Sequence, residues 1–494
     1  MDKTTKEGQT FGMRLIVLLI FLLGLESCSF SEPPLPPVRE NHELVVMTRN
    51  SPTTYYEDAN GNYAGLEHDL VVMFAKELGV NVRFVIATDL NKIIPALTKK
   101  QVHLAAAGLT VTPDREKIIR FGLPYQTIQQ QVVYNSLHLK PRSIHDLIGK
   151  KIEVVAGSSY VERLKQVRKQ FPKLRWHEVT DVEIEDLLEK VANGEVDYSV
   201  ADSHSVSVVQ NFFPDLGVAF DMGKPEQLAW AFPKDVDPYL FDKATEFFSR
   251  IQQDGTLRRL LDRYYGHIDR LNRIDVVTFL EKTNSILPGY LKLFHQAQEI
   301  TEIDWRLIAA LGYQESHWDP LATSPTGVRG LMMLTGDTAD RLRVNNRLDP
   351  KECILAGARY LLTLKESLPD HILEPDRTWI ALAAYNNGMG HLEDARILAQ
   401  RINLNPDSWT DLKKALPLLS KASYNASLKH GYARGGEAVI FVENIRTYND
   451  ILMKFGQPYK TPFTNFSSSK DRSSLTASTH LDKAAKPGVL PLSP

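Results

Sequence analysis

Glu315 is the residue of this chain best placed to move a proton. It lies in the segment Trp305-Arg-Leu-Ile-Ala-Ala-Leu-Gly-Tyr-Gln-Glu-Ser316, where Leu307, Ile308 and Leu311 recur at helical spacing. Residues three and four apart share one face of a helix, so Glu315 falls on the apolar face, four positions after Leu311. A carboxylate there is either held by a neighbouring Arg or backbone amide at the helix end, or it is desolvated. Desolvation favours the neutral form and raises the pKa, which is what a general acid needs near neutral pH. The helix alone leaves both readings open.

Three further segments bear on the same chemistry. Gly327-Val-Arg-Gly-Leu-Met-Met-Leu-Thr335 is a glycine-bracketed apolar loop or an ordinary turn; glycines allow close backbone approach and methionines give adaptable apolar contacts. Ala383-Ala-Tyr-Asn-Asn-Gly388 ends an apolar helix at a glycine cap. Tyr432-Ala-Arg-Gly-Gly-Glu437 leads into a helix that carries Tyr448. Asp319 is the nearest second carboxylate, but Asp319-Pro320 reads first as the start of a loop.

Glu315-Ser316, Gly330-Leu-Met-Met333, Ala384-Tyr-Asn386 and Tyr448 stand in the order and approximate spacing of the soluble-lytic-transglycosylase family, whose domain resembles goose-type lysozyme. The resemblance covers about residues 285–457, and the set is specific where any single member is weak. Many members carry Gln where this chain has Met333. The resemblance implies an enzyme that cleaves peptidoglycan glycan strands without water. Glu315 would protonate the oxygen between N-acetylmuramic acid and N-acetylglucosamine, then as carboxylate take the proton of the muramic-acid 6-hydroxyl as it closes on C1. Such an intramolecular attack needs no second carboxylate, unlike ordinary glycosidases. Ser316, Met333, Tyr385, Asn386 and Tyr448 would bind or orient the glycan or the acid. Two other readings are a hydrolytic muramidase using Asp319 and a ligand sensor whose helical domain binds the wall without cleaving it.

From Leu44 to about His267, short apolar runs alternate with helical stretches, which predicts an α/β domain with largely parallel sheets. Gly65-Leu-Glu-His-Asp-Leu70, Gly108-Leu-Thr-Val-Thr-Pro-Asp-Arg115, Gly157-Ser-Ser-Tyr160 and Gly194-Glu-Val-Asp-Tyr-Ser-Val-Ala-Asp202 follow or approach its strands. Together they resemble a family 3 periplasmic solute-binding domain of two lobes. The resemblance implies crossover strands near Gln131–Tyr134 and Leu228–Phe232. It also implies an amino-acid or muropeptide ligand, with Arg115 at its carboxylate, Asp202 at its amino group, and Thr112 and Ser158 adding hydrogen bonds. A guanidinium fork suits a carboxylate.

The resemblances imply a two-lobed α/β periplasmic-binding-protein fold over residues 44–268 and a lysozyme-like domain over 269–461, and helical periodicity makes the latter all-α. The chain has 494 residues, too many for one ordinary domain. Its net charge of -2 gives no polybasic signature of a nucleic-acid partner. Lys3, Lys6 and Arg14 precede an apolar run from Leu15 to Leu23 that is too short to span a bilayer, so residues 1–27 read as an export signal. Leu25-Glu-Ser-Cys28 resembles a lipobox, although Glu26 departs from it; Cys28 is then a lipid anchor, or the chain is simply cleaved nearby. Ser29 after it resembles an outer-membrane address, at the periplasmic leaflet. Residues 28–43 form a proline-rich tether, and residues 462–494 an aperiodic Ser/Lys/Thr/Pro tail expected to be disordered. Two cysteines exclude a disulfide framework and a multi-cysteine metal site, and leave Cys353 as a small buried residue. The implied chemistry calls for no cofactor and no metal.

Overall fold

The structure, a computed structural model, describes residues 34–57, 61–268, 271–324 and 327–460. The export signal, Cys28, the start of the tether and the C-terminal tail lie outside the described residues. No helix among those described is long and apolar enough to cross a membrane.

The strands in chain order are β1 Glu43–Thr48, β2 Tyr56–Glu57, β3 Tyr63–Ala64, β4 Asn81–Ile86, β5 Leu104–Ala105, β6 Ile119–Ile128, β7 Gln130–Asn135, β8 Glu153–Val155, β9 His177–Val179, β10 Tyr198–Asp202, β11 Leu216–Asp221 and β12 Glu226–Pro233. A first lobe is built on a five-stranded sheet ordered β4-β1-β5-β12-β6. β1 shows why its sequence is an unbroken apolar run. Leu44 and Val46 pack into one cluster with Phe74 and Trp230, while Val45 and Met47 pack into another with Ile93 and Leu97. Both faces are covered, so no polar alternation is possible.

The second lobe carries the three-stranded sheet β10-β7-β11 and the pair β8-β9 around its own core. The sheets are mixed rather than largely parallel: β1 pairs parallel with β4 and β5, but β12 pairs antiparallel with β5 and β6, and β7 with β10 and β11. The cause is the two-lobed path. The chain leaves the first sheet along β6 and returns along β12, so the two necessarily run in opposite senses. The passages lie between β6 and β7 and between β11 and β12. Gln131–Tyr134 and Leu228–Phe232 are instead sheet residues a few positions beyond each passage.

The helical half surrounds the Trp305–Ser316 helix, whose residues 305–313 are all buried. Its start is fixed by Asp304, which accepts the Arg306 N–H at 2.9 Å and pairs with the Arg306 guanidinium at 2.6 Å. Arg306 is fully buried, and its charge is tolerable there only because it is paired. The helices Leu291–Thr301, Pro350–Glu366, Asp376–Asn387 and Gly435–Phe455 contribute to the same core.

The Gly435–Phe455 helix also joins the two halves. Arg446 donates to the carbonyls of Asp262 at 3.1 Å and Arg263 at 2.9 Å, closing the last turn of the first lobe's Thr256–Tyr265 helix with a cation, as the helix dipole favours. Thr447 donates to the His267 carbonyl at 3.1 Å. Further along, Lys454 lies 4.5 Å over the Phe212 ring of the second lobe. Lys413 completes the junction with an ion pair to Asp262 at 2.6 Å.

Candidate functional site

Glu315 sits in the last turn of the Trp305–Ser316 helix, partly exposed, and makes no hydrogen bond or ion pair among the described residues. Of the two readings left open by the sequence, the geometry supports desolvation. Burial alone pushes the carboxyl up to about 8. A carboxyl so raised keeps its proton through neutral pH, and no cation among the described residues pairs with it.

The Gly327–Thr335 segment is a tight double turn pressed against this helix. Arg329 bridges Leu334 in both directions, at 3.2 and 3.0 Å. Gly330 has φ +81, and a Cβ there would meet the Arg347 carbonyl oxygen at 1.8 Å and the Cys353 Sγ at 2.9 Å. Gly312, one turn before Ser316, leaves room for Leu331 and Met332, and Gly357 leaves room for the Met332 side chain. Arg347 donates to the Gly327 and Leu334 carbonyls at 3.0 and 2.9 Å, and the buried Cys353 Sγ accepts the Met332 N–H at 3.2 Å. Sequence reasoning missed Arg347 and Gly312, and placed Cys353 only as a small buried residue, which it is. Only Gly312 left a signal: a glycine inside a helix costs about 1 kcal/mol and so asks for a packing reason.

The other expected glycan residues divide. Ser316 donates its hydroxyl to the Leu331 carbonyl at 2.8 Å, so it ties the helix to the loop. Tyr385 donates to the Met332 carbonyl at 3.0 Å, and burial followed by the nearby Glu315 charge raises its hydroxyl well above the usual range. Met333 is half-buried at φ +46, held by a turn from its N–H to the Gly330 carbonyl at 2.9 Å. Asn386 is exposed in the final turn of its helix, which ends at Gly388 with φ +84. Tyr448 is buried in an aromatic cluster, its ring 4.5 Å from Phe279 and 4.8 Å from Tyr313, and so braces the Glu315 helix from behind. Asp319 is exposed and accepts the Leu321 N–H at 2.9 Å, which is the turn role.

In the two-lobed half, Arg115, Ser158 and Asp202 line one crevice between the lobes, together with Arg49 and His204. Thr112 does not line it; its hydroxyl caps the Pro113–Glu116 turn by accepting the Arg115 N–H at 3.3 Å. The Arg115 guanidinium is engaged by Glu162 at 2.9 Å and by the carbonyls of Thr110 at 3.3 Å and Gly157 at 3.1 Å. Ser158 donates to the Val155 carbonyl at 2.6 Å. Asp202 is buried, its Oδ1 has no partner, and burial pushes it up to about 7. Direct bonds cross between the lobes: Ser51 to Glu185 at 2.8 Å, Thr110 with Ser159 at 3.0 Å, and Arg49 to Glu183 at 3.7 Å. The space left is about 30 Å³, room for roughly one water. No group of three or more His, Cys, Asp or Glu that could hold a metal occurs among the described residues.

Comparison with known proteins places both halves. Residues 44–267 match the model of bacterial extracellular solute-binding proteins, family 3, and residues 292–403 match the transglycosylase SLT domain. An ancestral arginine-binding protein bound to arginine aligns over 45% of this chain and 98% of its own at 27% identity, with a TM-score of 0.42. Membrane-bound lytic murein transglycosylase F of Methylobacillus flagellatus is 52% identical over 453 residues, covering 91% of this chain and 96% of its own length. The protein of the same name from Nitrosospira multiformis is 50% identical over 458 residues, covering 92% and 95%. With such identity sustained across both halves, the chain belongs to the family of membrane-bound lytic murein transglycosylases F.

Proposed function

We propose that this protein is a membrane-associated lytic transglycosylase that degrades murein with Glu315 as its single acid and base. The observation that carries the reading is a desolvated, partnerless carboxyl against a loop fixed on all sides. In the first step the Glu315 proton passes to the bridging oxygen as the bond from C1 of N-acetylmuramic acid to that oxygen breaks. In the second, the Glu315 carboxylate takes the proton of the 6-hydroxyl while its oxygen bonds to C1, leaving a 1,6-anhydro end. The proton returns to Glu315, and no water is consumed. Ser316 and Tyr385 act by holding the Leu331 and Met332 carbonyls, Tyr448 by bracing the helix, and Met333 and Asn386 by meeting the glycan. Anchoring through Cys28 at the periplasmic face of the outer membrane fits the membrane association carried in the relatives' names.

Digestion of purified murein, with soluble products read by mass spectrometry, tests this. Products lighter by one water than the hydrolysis products support it, and hydrated ends overturn it. The same assay gives a pH profile. Glu315 must enter the first step protonated, so kcat/KM is expected to hold through neutral pH and fall about tenfold per unit above about 8. A fall beginning near 4.5, the ordinary glutamate value, would show that the acid is not desolvated.

The crevice between Arg115 and Asp202 is proposed to take an amino acid or muropeptide that regulates the enzyme. The support is mechanical: the Gly435–Phe455 helix touches both lobes and carries Tyr448 behind the Glu315 helix. Such a ligand must bind two states differently to act at a distance. Turnover is therefore expected to change severalfold when the crevice is saturated with a muropeptide; unchanged turnover at proven saturation refutes the regulation.

A further inference from the structure

A second cavity lies at the junction of the two halves, remote from both sites described above. It has a volume of about 440 Å³, within the range of small-molecule sites. The first lobe contributes Asp69, Arg259 and Arg263, and the helical domain Asp376, Trp379 and Arg446.

The charges on its walls are left incomplete. Arg259 donates only to the Asp254 carbonyl at 3.2 Å and to Thr256 at 2.8 Å. Arg263 makes one long ion pair, donating to Asp69 at 3.5 Å. Arg446 is 2% exposed and pairs with Glu443 at 2.9 Å, yet its Nε has no hydrogen-bond partner. Opposite them, Asp376 accepts the Trp409 N–H at 2.7 Å through one oxygen only. The charges that act on Asp376 are those of Arg263, Arg446 and Arg259, none within ion-pair distance. Arg259 and Asp376, neither in an ion pair among the described residues, thus stand on opposite walls of a cavity whose lining is of mixed charge, with Arg263 and Arg446 beside the first and Asp69, Asp262 and Asp407 completing the rim. A plain anion would satisfy the arginines and repel Asp376. A molecule carrying both a carboxylate and an ammonium group satisfies both walls, and charge-assisted bonds of this kind are the strong ones.

We propose that this junction cavity is a binding site for a zwitterionic amino acid or short peptide, its carboxylate held by Arg259, Arg263 and Arg446 and its ammonium by Asp376. It is separate from the interlobe crevice, and a ligand in it bridges the two halves.

The test is calorimetric titration of the full chain with alanyl-glutamate, with sulfate as the plain anion. Binding is expected in the wild type and in Asp202→Asn, which alters the crevice alone. It is expected to weaken about ten- to a hundredfold in Arg259→Ala/Arg263→Ala, the scale of losing charge-assisted hydrogen bonds. Asp376→Asn, which keeps an oxygen for the Trp409 N–H, serves as an independent variant should the double mutant unfold, and is expected to weaken binding about tenfold. Binding that disappears in Asp202→Asn but survives in the arginine or Asp376 variants belongs to the crevice and overturns the proposal. So does sulfate that binds as tightly and competes, or the absence of any heat with the wild type at millimolar dipeptide.

Discussion

Replacing Glu315 with Gln is expected to abolish release of anhydro-muropeptides, at least about a thousandfold, while making the protein more stable at neutral pH. The rate loss follows because one group serves both proton transfers, and positioned acid–base catalysis contributes on the order of 10²–10⁴. The stability gain follows from linkage. The folded state holds the Glu315 proton up to about pH 8, whereas an ordinary glutamate releases it near 4.5. The folded state therefore binds more protons in between. The stability associated with this group is fully present below about 4.5 and is lost as pH rises through about 8. At pH 7 the cost is roughly 3 kcal/mol, which Gln does not incur. Urea unfolding of wild type and variant at pH 5, 7 and 9 reads it: the two curves should lie close together at the lowest pH and separate as pH rises. A variant no more stable than wild type at high pH would mean that the carboxylate has a partner in solution.

Gly330→Ala is expected to cost about 2–5 kcal/mol and most of the activity. A Cβ cannot lie 1.8 Å from the Arg347 carbonyl oxygen, so backbone must move. Overpacking of this kind costs about 1–3 kcal/mol, and an alanine forced into the left-handed region about 1–2 more. The movement would carry Leu331 and Met332 away from Ser316 and Tyr385. Gly327→Ala is the matched control. It too has positive φ, at +83, but nothing lies within 4 Å of its Cβ, so only the smaller backbone cost applies. Chemical unfolding and murein digestion of both variants check the pair. Equal losses would show that strain, not the Arg347 contact, governs the loop.

What the sequence made legible was local. The Trp305–Ser316 helix could be recognised because its apolar spacing is regular, and the end of the Asp376–Asn387 helix because Gly388 can take positive φ. Gly330-Leu-Met-Met333 could be picked out, but not its fastenings. Arg347 and Cys353 lie well along the chain, and nothing in their own neighbourhoods distinguishes them. The family resemblance assigns Ser316 to the glycan; its partner in the fold, the Leu331 carbonyl, exists only once the loop folds back. The Thr-Pro-Asp-Arg motif also carries a local meaning that the resemblance does not give, since its threonine caps a short helix. Strand direction was out of reach, since pairing sense depends on where the chain crosses between lobes, and alternation of apolar runs carries no record of that.

The bonds that tie Ser51 to Glu185, Thr110 to Ser159 and Arg115 to Glu162 have a bearing on how much of any crevice ligand the protein can register. A lobe pair that closes on itself spends only part of its time open, and apparent affinity is the intrinsic affinity multiplied by that fraction. Each further tenfold preference for the closed arrangement raises the concentration needed for half-occupancy by about tenfold. For the crevice ligand proposed above, such latches would make the protein ignore trace solute and answer only when the compound accumulates. Loosening the Ser51–Glu185 latch, neither partner of which lines the crevice, would lower that threshold without altering any atom that touches the ligand.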